Sequence, residues 1–161
     1  MIVNCTAYIA GRKLDNIALE EIPAIRQQPD TFVWLGLFEP DEALMTRVQQ
    51  LFGLHELAAE DAHHAHQRPK VELYGDCLFI VLRTAQATED KLDFGETHIF
   101  VGPHYLVTVR HGASLAYAPV RARCEKAPNL LRKGPGFALY AILDFVVDQY
   151  FPILSLSLIH I

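Results

Sequence analysis

The sequence is poor in features that would tie it to secretion, to a bilayer or to nucleic acid. Its three cysteines, Cys5, Cys77 and Cys124, are odd in number, lie far apart and form no CxxC pair. No disulfide framework can be read from them, and a reducing compartment suits them. The start MIVNCTAY has neither a basic n-region nor an apolar h-region, so no secretory signal is visible. The most apolar segment, Phe137 to Leu154, is interrupted by Asp144 and Asp148. An uncompensated carboxylate in mid-span is expensive, and the expectation is that no stretch crosses a membrane. Basic residues are outnumbered, 14 Lys and Arg against 19 Asp and Glu, for a net charge of −5. That balance argues against a nucleic-acid platform, which wants a basic face. It fits attraction of cations, although a mildly acidic surface is also ordinary for cytoplasmic proteins. Neither a P-loop nor GxGxxG is present; Gly134-x-Gly136 precedes a helix but matches neither. No Ser/His/Asp or Cys/His arrangement is readable, and no motif context marks Ser114 or Cys124 for nucleophilic work.

What is present is a globular composition. The 161 residues are 51% hydrophobic and 20% charged, which suits one domain with a real core. Ile2 to Ala10 and Lys13 to Ala18 form a hairpin pattern about Gly11, and Leu19 to Gln28 reads as a short helix closed by Pro29. Phe32 to Phe38 is a strand holding the only tryptophan, Trp34. Pro40-Asp41-Glu42 opens a helix whose stripe is Leu44, Val48, Leu51 and Phe52. Leu92 to Phe94, Thr97 to Val101 and Tyr105 to Val109 are strand candidates. Ser114 is placed to cap a helix to about Lys126, with Ala116, Val120 and Cys124 inward. Pro128 and Lys133-Gly134-Pro135-Gly136 separate it from the last helix.

The densest stretch is Phe52 to Arg83. Gly53 reads as a helix C′ residue with Leu54 folding back as its contact. His55 to about His64 is a second helix, ended by Arg68-Pro69. Val71 and Leu73 alternate with polar residues, Gly75-Asp76 turns, and Cys77 to Leu82 is apolar on both faces. Such a run fits a central strand covered on both sides. Irregular alternation of helices and strands with several tight turns predicts an α/β fold with a mixed parallel/antiparallel sheet in a three-layer α/β/α domain.

Three groups of residues could carry chemistry. His55, His63, His64 and His66 surround Glu60 and Asp61. His55-Glu56-Leu57-Ala58-Ala59 nearly makes HExxH, but Ala59 stands where the second ligand must be. His63 and His66, three apart, could still hold a transition metal, or simply favour a helix C-terminus. Glu60 and Asp61 on their own are a solvated helix face. Asp144 and Asp148, four apart on an almost wholly apolar helix, repel each other and resist desolvation. A metal or a basic partner such as Arg68, Arg121 or Arg132 would relieve them. Arg68-Pro69-Lys70 reads as a turn with structural ion pairs, not as an anion site.

The motif FGLH-x-L-x-x-ED, followed by HQRPK-V-E-x-Y and FIVLR, resembles the cytoplasmic domain of the CorA family of magnesium transporters. The entry FVWLGLFEPDEAL, the strand YLVTVRH and the helix ALYAILDFVVDQYFPIL agree with it, in order, from about Phe32 to Leu154. The resemblance implies the same three-layer architecture, as an N-terminal cytoplasmic domain over residues 1–154. It also implies pentameric channels anchored by C-terminal membrane helices, with a Gly-Met-Asn motif closing the first. Neither the stalk nor that motif is in the sequence. The tail 155–161, SLSLIHI, departs from the pattern and is expected to be a truncated or vector-derived end. The family places a regulatory cation site between subunits. Carried over residue by residue, it takes in Asp61, with Glu60 beside it, and Asp144 from another copy. Asp148 matches a further acid of less defined role. The implied ion is weakly held Mg2+, with Co2+, Ni2+ or Zn2+ as alternatives. The leading expectation is therefore a binding and gating domain, not an enzyme, on the cytoplasmic side of an inner-membrane protein, with no nucleic-acid partner. The competing reading is a soluble metal-dependent enzyme using His55, His63 and His66. A third is a cytosolic ligand-binding α/β domain without metal.

Overall fold

The computed structural model describes residues 1–113 and 115–159; Ser114, read above as a helix cap, lies outside them, as do His160 and Ile161. The expected hairpin forms from β1 (Ile2–Ile9) and β2 (Arg12–Asn16). Gly11 at its turn has φ +84°, and a Cβ there would meet the Pro128 carbonyl oxygen at 2.1 Å, so both conformation and packing demand glycine. A 3-10 turn, Leu19–Glu21, leads into α1 (Ile22–Arg26), then β3 (Thr31–Phe38). In α2 (Glu42–Phe52) the Asp41 carboxylate caps the first turn, accepting from the Leu44 N–H at 2.8 Å. Gly53, at φ +65°, ends the helix as expected.

After α3 (Glu56–His63) come β4 (Lys70–Tyr74), β5 (Cys77–Thr88), β6 (Lys91–Gly102) and β7 (Tyr105–Gly112). The chain closes with α4 (Ala118–Glu125), α5 (Pro128–Leu131), α6 (Pro135–Asp148) and α7 (Tyr150–Ile159). α7 extends into the 155–161 tail as far as Ile159.

The strands form one sheet in the order β2-β1-β3-β7-β6-β5-β4. β3 and β7 pair in parallel and the other neighbours antiparallel, so the sheet is mixed. Alternation along each strand feeds two cores. Val33, Leu35, Phe79, Val81, Phe100 and Val107 point toward α1–α3. Trp34, Ile80, Ile99 and Leu106 point toward α4–α6. The three-layer α/β/α architecture follows from this division.

Four expectations change. Cys77–Leu82 is not at the centre: β5 is second from one edge, and β7 occupies the middle. A run apolar on both faces reports helices above and below, and a penultimate strand has those as well. The two candidate strands at 92–94 and 97–101 are one strand, β6, running through Gly95. Its first half pairs with the end of β5 in a long hairpin that leaves Phe94 exposed. Ala116 is exposed, and Leu115 and Tyr117 turn inward in its place. Finally, the helical segment Pro135–Ser155 is long and apolar enough to cross a membrane, with 21 residues and mean hydropathy 1.4. Two aspartates are too few to offset that many apolar side chains. In this fold its inner residues Ala138, Ala141 and Ile142 pack fully buried against the sheet.

Candidate functional site

Asp61 lies near the end of α3, whose inner side is made of alanines alone: Ala58, Ala59 and Ala62. Small side chains let the helix sit close to the sheet, and this puts Asp61 over the edge strand β4. Its Oδ2 accepts from Lys70 Nζ at 2.7 Å, and the same ammonium reaches Glu72 Oε1 at 2.5 Å. Lys70 also lies 5.7 Å from the centre of the Phe79 ring. The hydrogen bond to Asp61, then that to Glu72, hold the lysine pKa above its usual value. The expectation of ion pairs around Arg68-Pro69-Lys70 therefore holds at Lys70. Glu60, one residue back, is exposed and turned to the other side. It lines a groove of about 340 Å³ between α2 and α3, with Glu42, Glu56, His63 and His64.

The histidines do not converge. His55 is the N-cap of α3, its Nδ1 accepting from the Leu57 N–H at 3.2 Å, and its ring stacks on Tyr74 at 4.3 Å. His63 faces the α2–α3 groove, its ring 4.9 Å from that of His64. His66 is beyond the end of the helix with φ +71°, and it opens onto a different groove of about 270 Å³ beside Glu96 and His111. The helical spacing assumed for His63 and His66 ends at His63, so no i, i+3 pair exists. Among the described residues no group of three or more His, Cys, Asp or Glu is arranged to hold a metal ion.

Asp144 lies on the opposite side of the sheet, on α6. Its partner is Arg123 of α4, with Nη1 donating to Oδ2 at 2.8 Å, and not Arg68, Arg121 or Arg132. The pair is exposed to solvent on both sides. Its hydrogen bond raises the Arg123 pKa. Asp148, one turn on, is exposed, with no ion pair to a described residue. Within one chain, then, Asp61 and Asp144 occupy different layers, and each is already matched by its own cation.

One polar group was not anticipated. Beneath α3, on the same face of β6, Glu96 and His98 are buried beside His111 of β7. His98 Nε2–H donates to Glu96 Oε2 at 2.9 Å, and His111 Nε2–H donates to the Ala62 carbonyl at 2.7 Å. Burial lowers the His98 pKa, the glutamate opposing the shift, and its Nδ1 has no partner. For Glu96, burial pushes upward, yet the bonds from His98 and the Gln67 N–H outweigh it and the pKa falls. The period-two spacing Glu96-His98-Phe100 was the available signal, since it sets two polar residues on a face shared with a core phenylalanine.

Residues 29–156 match the family described as CorA-like Mg2+ transporter protein. Over 154 residues the chain is 32% identical to YfjQ of Bacillus subtilis, a provisionally assigned metal ion transporter, covering 94% of this chain and 46% of that one. It is 31% identical over 115 residues to the cobalt/magnesium transport protein CorA of Thermotoga maritima, covering 70% of this chain and 33% of that one. The fold is similar to that of the ZntB cytoplasmic domain from Vibrio parahaemolyticus, with TM-score 0.69 and 13% identity over 96% of this chain and 61% of that one. The chain spans less than half the length of these two curated relatives. With its matched segment running through both acid-bearing helices, the chain belongs to the family of CorA-like Mg2+ transporter proteins.

Proposed function

We propose that the chain is the cytoplasmic, cation-sensing domain of a membrane transporter for magnesium or a similar divalent ion. In this reading Asp61 of one copy, with Glu60 beside it, faces Asp144 of a neighbouring copy across a ring of subunits, five in number by the family resemblance. Asp148 lies one turn away and adds negative potential. The ion bridges the copies and favours one arrangement of the ring, and its loss frees them to move. The observation that carries the reading is placement: Asp61 and Asp144 lie on opposite layers, partly exposed, and so can share an ion only between copies. Membership of a transporter family supports transport as the function of the whole protein.

The ion pairs refine the physical picture. The two aspartates are not bare carboxylates in mutual repulsion, because Lys70 and Arg123 pair with them. Magnesium must displace or share those cations, and with few carboxylates available its affinity is expected to be about millimolar or weaker. Co2+, Ni2+ and Zn2+ compete by availability and ligand type. In the full-length protein, magnesium-dependent protection from protease reports the bridged state. Asp61→Ala and Asp144→Ala should each raise the magnesium midpoint while leaving the fold intact. Unchanged midpoints in both would reduce these acids to solvated, ion-paired surface.

A further inference from the structure

Away from the aspartates, two arginines converge on a small pocket with no carboxylate of the described residues in ion-pair contact with either. Arg110 comes from β7 and Arg121 from α4, and both line a cavity of about 40 Å³ with Asn4, Gly36 and the start of α4 at Ala116–Ala118. Both arginines are half-buried. Among the described residues neither guanidinium has a carboxylate oxygen within 4.0 Å. The acid one turn along α4, Glu125, is taken by Tyr8, whose hydroxyl donates to it at 2.8 Å. Arg110 spends one N–H on the Leu115 carbonyl at 3.0 Å and lies over the Phe38 ring, which leaves its remaining donors for the pocket. The Arg121 guanidinium donates to no described residue. Burial lowers both guanidinium pKa values; at Arg121, Tyr8 and Glu125 offset part of the shift and the Arg110 charge adds to it. Two like charges held together at a half-buried site are costly unless something neutralises them.

The pocket is polarised for an anion in two further ways. Its lining includes the start of α4, whose N-cap, Tyr117, makes no side-chain cap bond; the Tyr117 hydroxyl is bonded to Thr97 at 2.7 Å instead. The N-terminal partial positive charge of that helix therefore adds to the two arginines. Opposite them, beside the Thr108 hydroxyl, stands a buried acceptor with no partner. Asn4 donates its Nδ2–H to the Trp34 carbonyl at 3.0 Å, which fixes the amide orientation and leaves Oδ1 buried with no partner. Gly36 makes room for it, since a Cβ there would come within 2.3 Å of that oxygen. A site with several cationic donors and one orphaned acceptor is complementary to an anion that still carries a proton.

We infer that the Arg110–Arg121 pocket is an oxyanion site that takes a small, singly protonated oxyanion, of which hydrogen phosphate is the simplest. The guanidiniums grip its charged oxygens, and its O–H donates to Asn4 Oδ1. The site lies on the α4 side of the sheet and uses none of the residues assigned to the cation.

The test is a titration of the 161-residue chain with inorganic phosphate near neutral pH, at constant ionic strength, followed by amide and arginine side-chain NMR. The Tyr117 and Ala118 amides and the Arg121 Nε–H should shift together and saturate. Sulfate has the same shape but no proton, and should bind about threefold to tenfold more weakly, the worth of one net hydrogen bond. Arg121→Gln should abolish saturation, while Arg12→Gln, at an exposed site on β2, should leave it intact. Ala118→Glu covers the case in which Arg121→Gln is poorly folded. It places a carboxylate in the first turn of α4, where the helix tolerates it, and should fill the pocket and remove the phosphate response. Shifts that stay linear, or that persist unchanged in both Arg121→Gln and Ala118→Glu, would overturn the site. An equal response to sulfate would overturn its preference for a protonated anion.

Discussion

On one face of the sheet Asp61 rides a helix of eight residues that buries only Ala58, Ala59 and Ala62. On the other, Asp144 rides fourteen residues anchored by Ala138, Ala141, Ile142 and Val146. Apolar area removed from water sets how firmly a helix is held, and three alanines contribute little of it. What seats α3 is largely polar: the His111 bond to the Ala62 carbonyl and the Lys70 pair with Asp61. Polar contacts exchange with water at small net gain, whereas buried isoleucine and valine do not. The comparison teaches that the two halves of the proposed site are unequal. In the proposed reading, the Asp144 helix would be the fixed post and the Asp61 helix the part that a cation moves.

The largest expected effect is on the fixed side. Ile142 is fully buried, and Ile142→Ala should cost about 2–5 kcal/mol in denaturant unfolding. Leu57→Ala on α3, where the side chain is mostly exposed, should cost almost nothing. Comparable losses at the two positions would break the contrast. A smaller loss is expected from overpacking α3: Ala62→Leu should destabilise by about 1–3 kcal/mol. Amide exchange should then accelerate in α3 and leave α6 protected; equal acceleration in both helices would mean that the layers open as one.

The polar seat under α3 predicts a pH dependence. His98 has a folded pKa below its unfolded value, so the unfolded chain takes up the proton first and stability falls as pH drops below about 6.5. Glu96, also lowered, adds a further loss in the more acidic carboxylate range. Thermal melts from pH 8 to pH 5 should show the decline, and His98→Gln, which can still donate to Glu96, should flatten its upper part. An unchanged profile in that variant would remove His98 from the account. The smallest effects belong to the ion pairs. Arg123→Met should change stability by no more than about 0.5 kcal/mol, since the pair is solvent-exposed. Lys70→Met should cost more than this, because it leaves Asp61 and Glu72 together without their shared cation. A larger loss at Arg123 would reverse the ranking.

Much of the fold was legible because its signals are local. Pro40-Asp41-Glu42 and Gly53 bracket α2 by local end signals alone, and Gly11 and Gly75 mark turns between strands. Strand order was not legible in the same way. The apolar run Cys77–Leu82 signals cover on both faces, but nothing within it tells a central strand from a penultimate one. The acids themselves stood out, Asp144 and Asp148 against an apolar helix and Asp61 within a recognisable motif. Their partners did not. Arg123 is 21 residues from Asp144, and only the crossing of α4 and α6 brings them together. The histidines misled because helical spacing was carried past His63, where the backbone leaves the helix.

The central claim is that Asp61 and Asp144 hold one cation between two copies, and a double-mutant cycle on the magnesium midpoint tests it most directly. Protease protection of the full-length protein would be measured for the parent, Asp61→Ala, Asp144→Ala and the double variant. Residues that share one ion are coupled, so removing the second acid should add little once the first is gone. The double-variant midpoint is expected to be no higher than about that of the worse single variant. A double variant whose midpoint rises by the product of the two single effects would show that the aspartates act at independent places, and would contradict a shared ion.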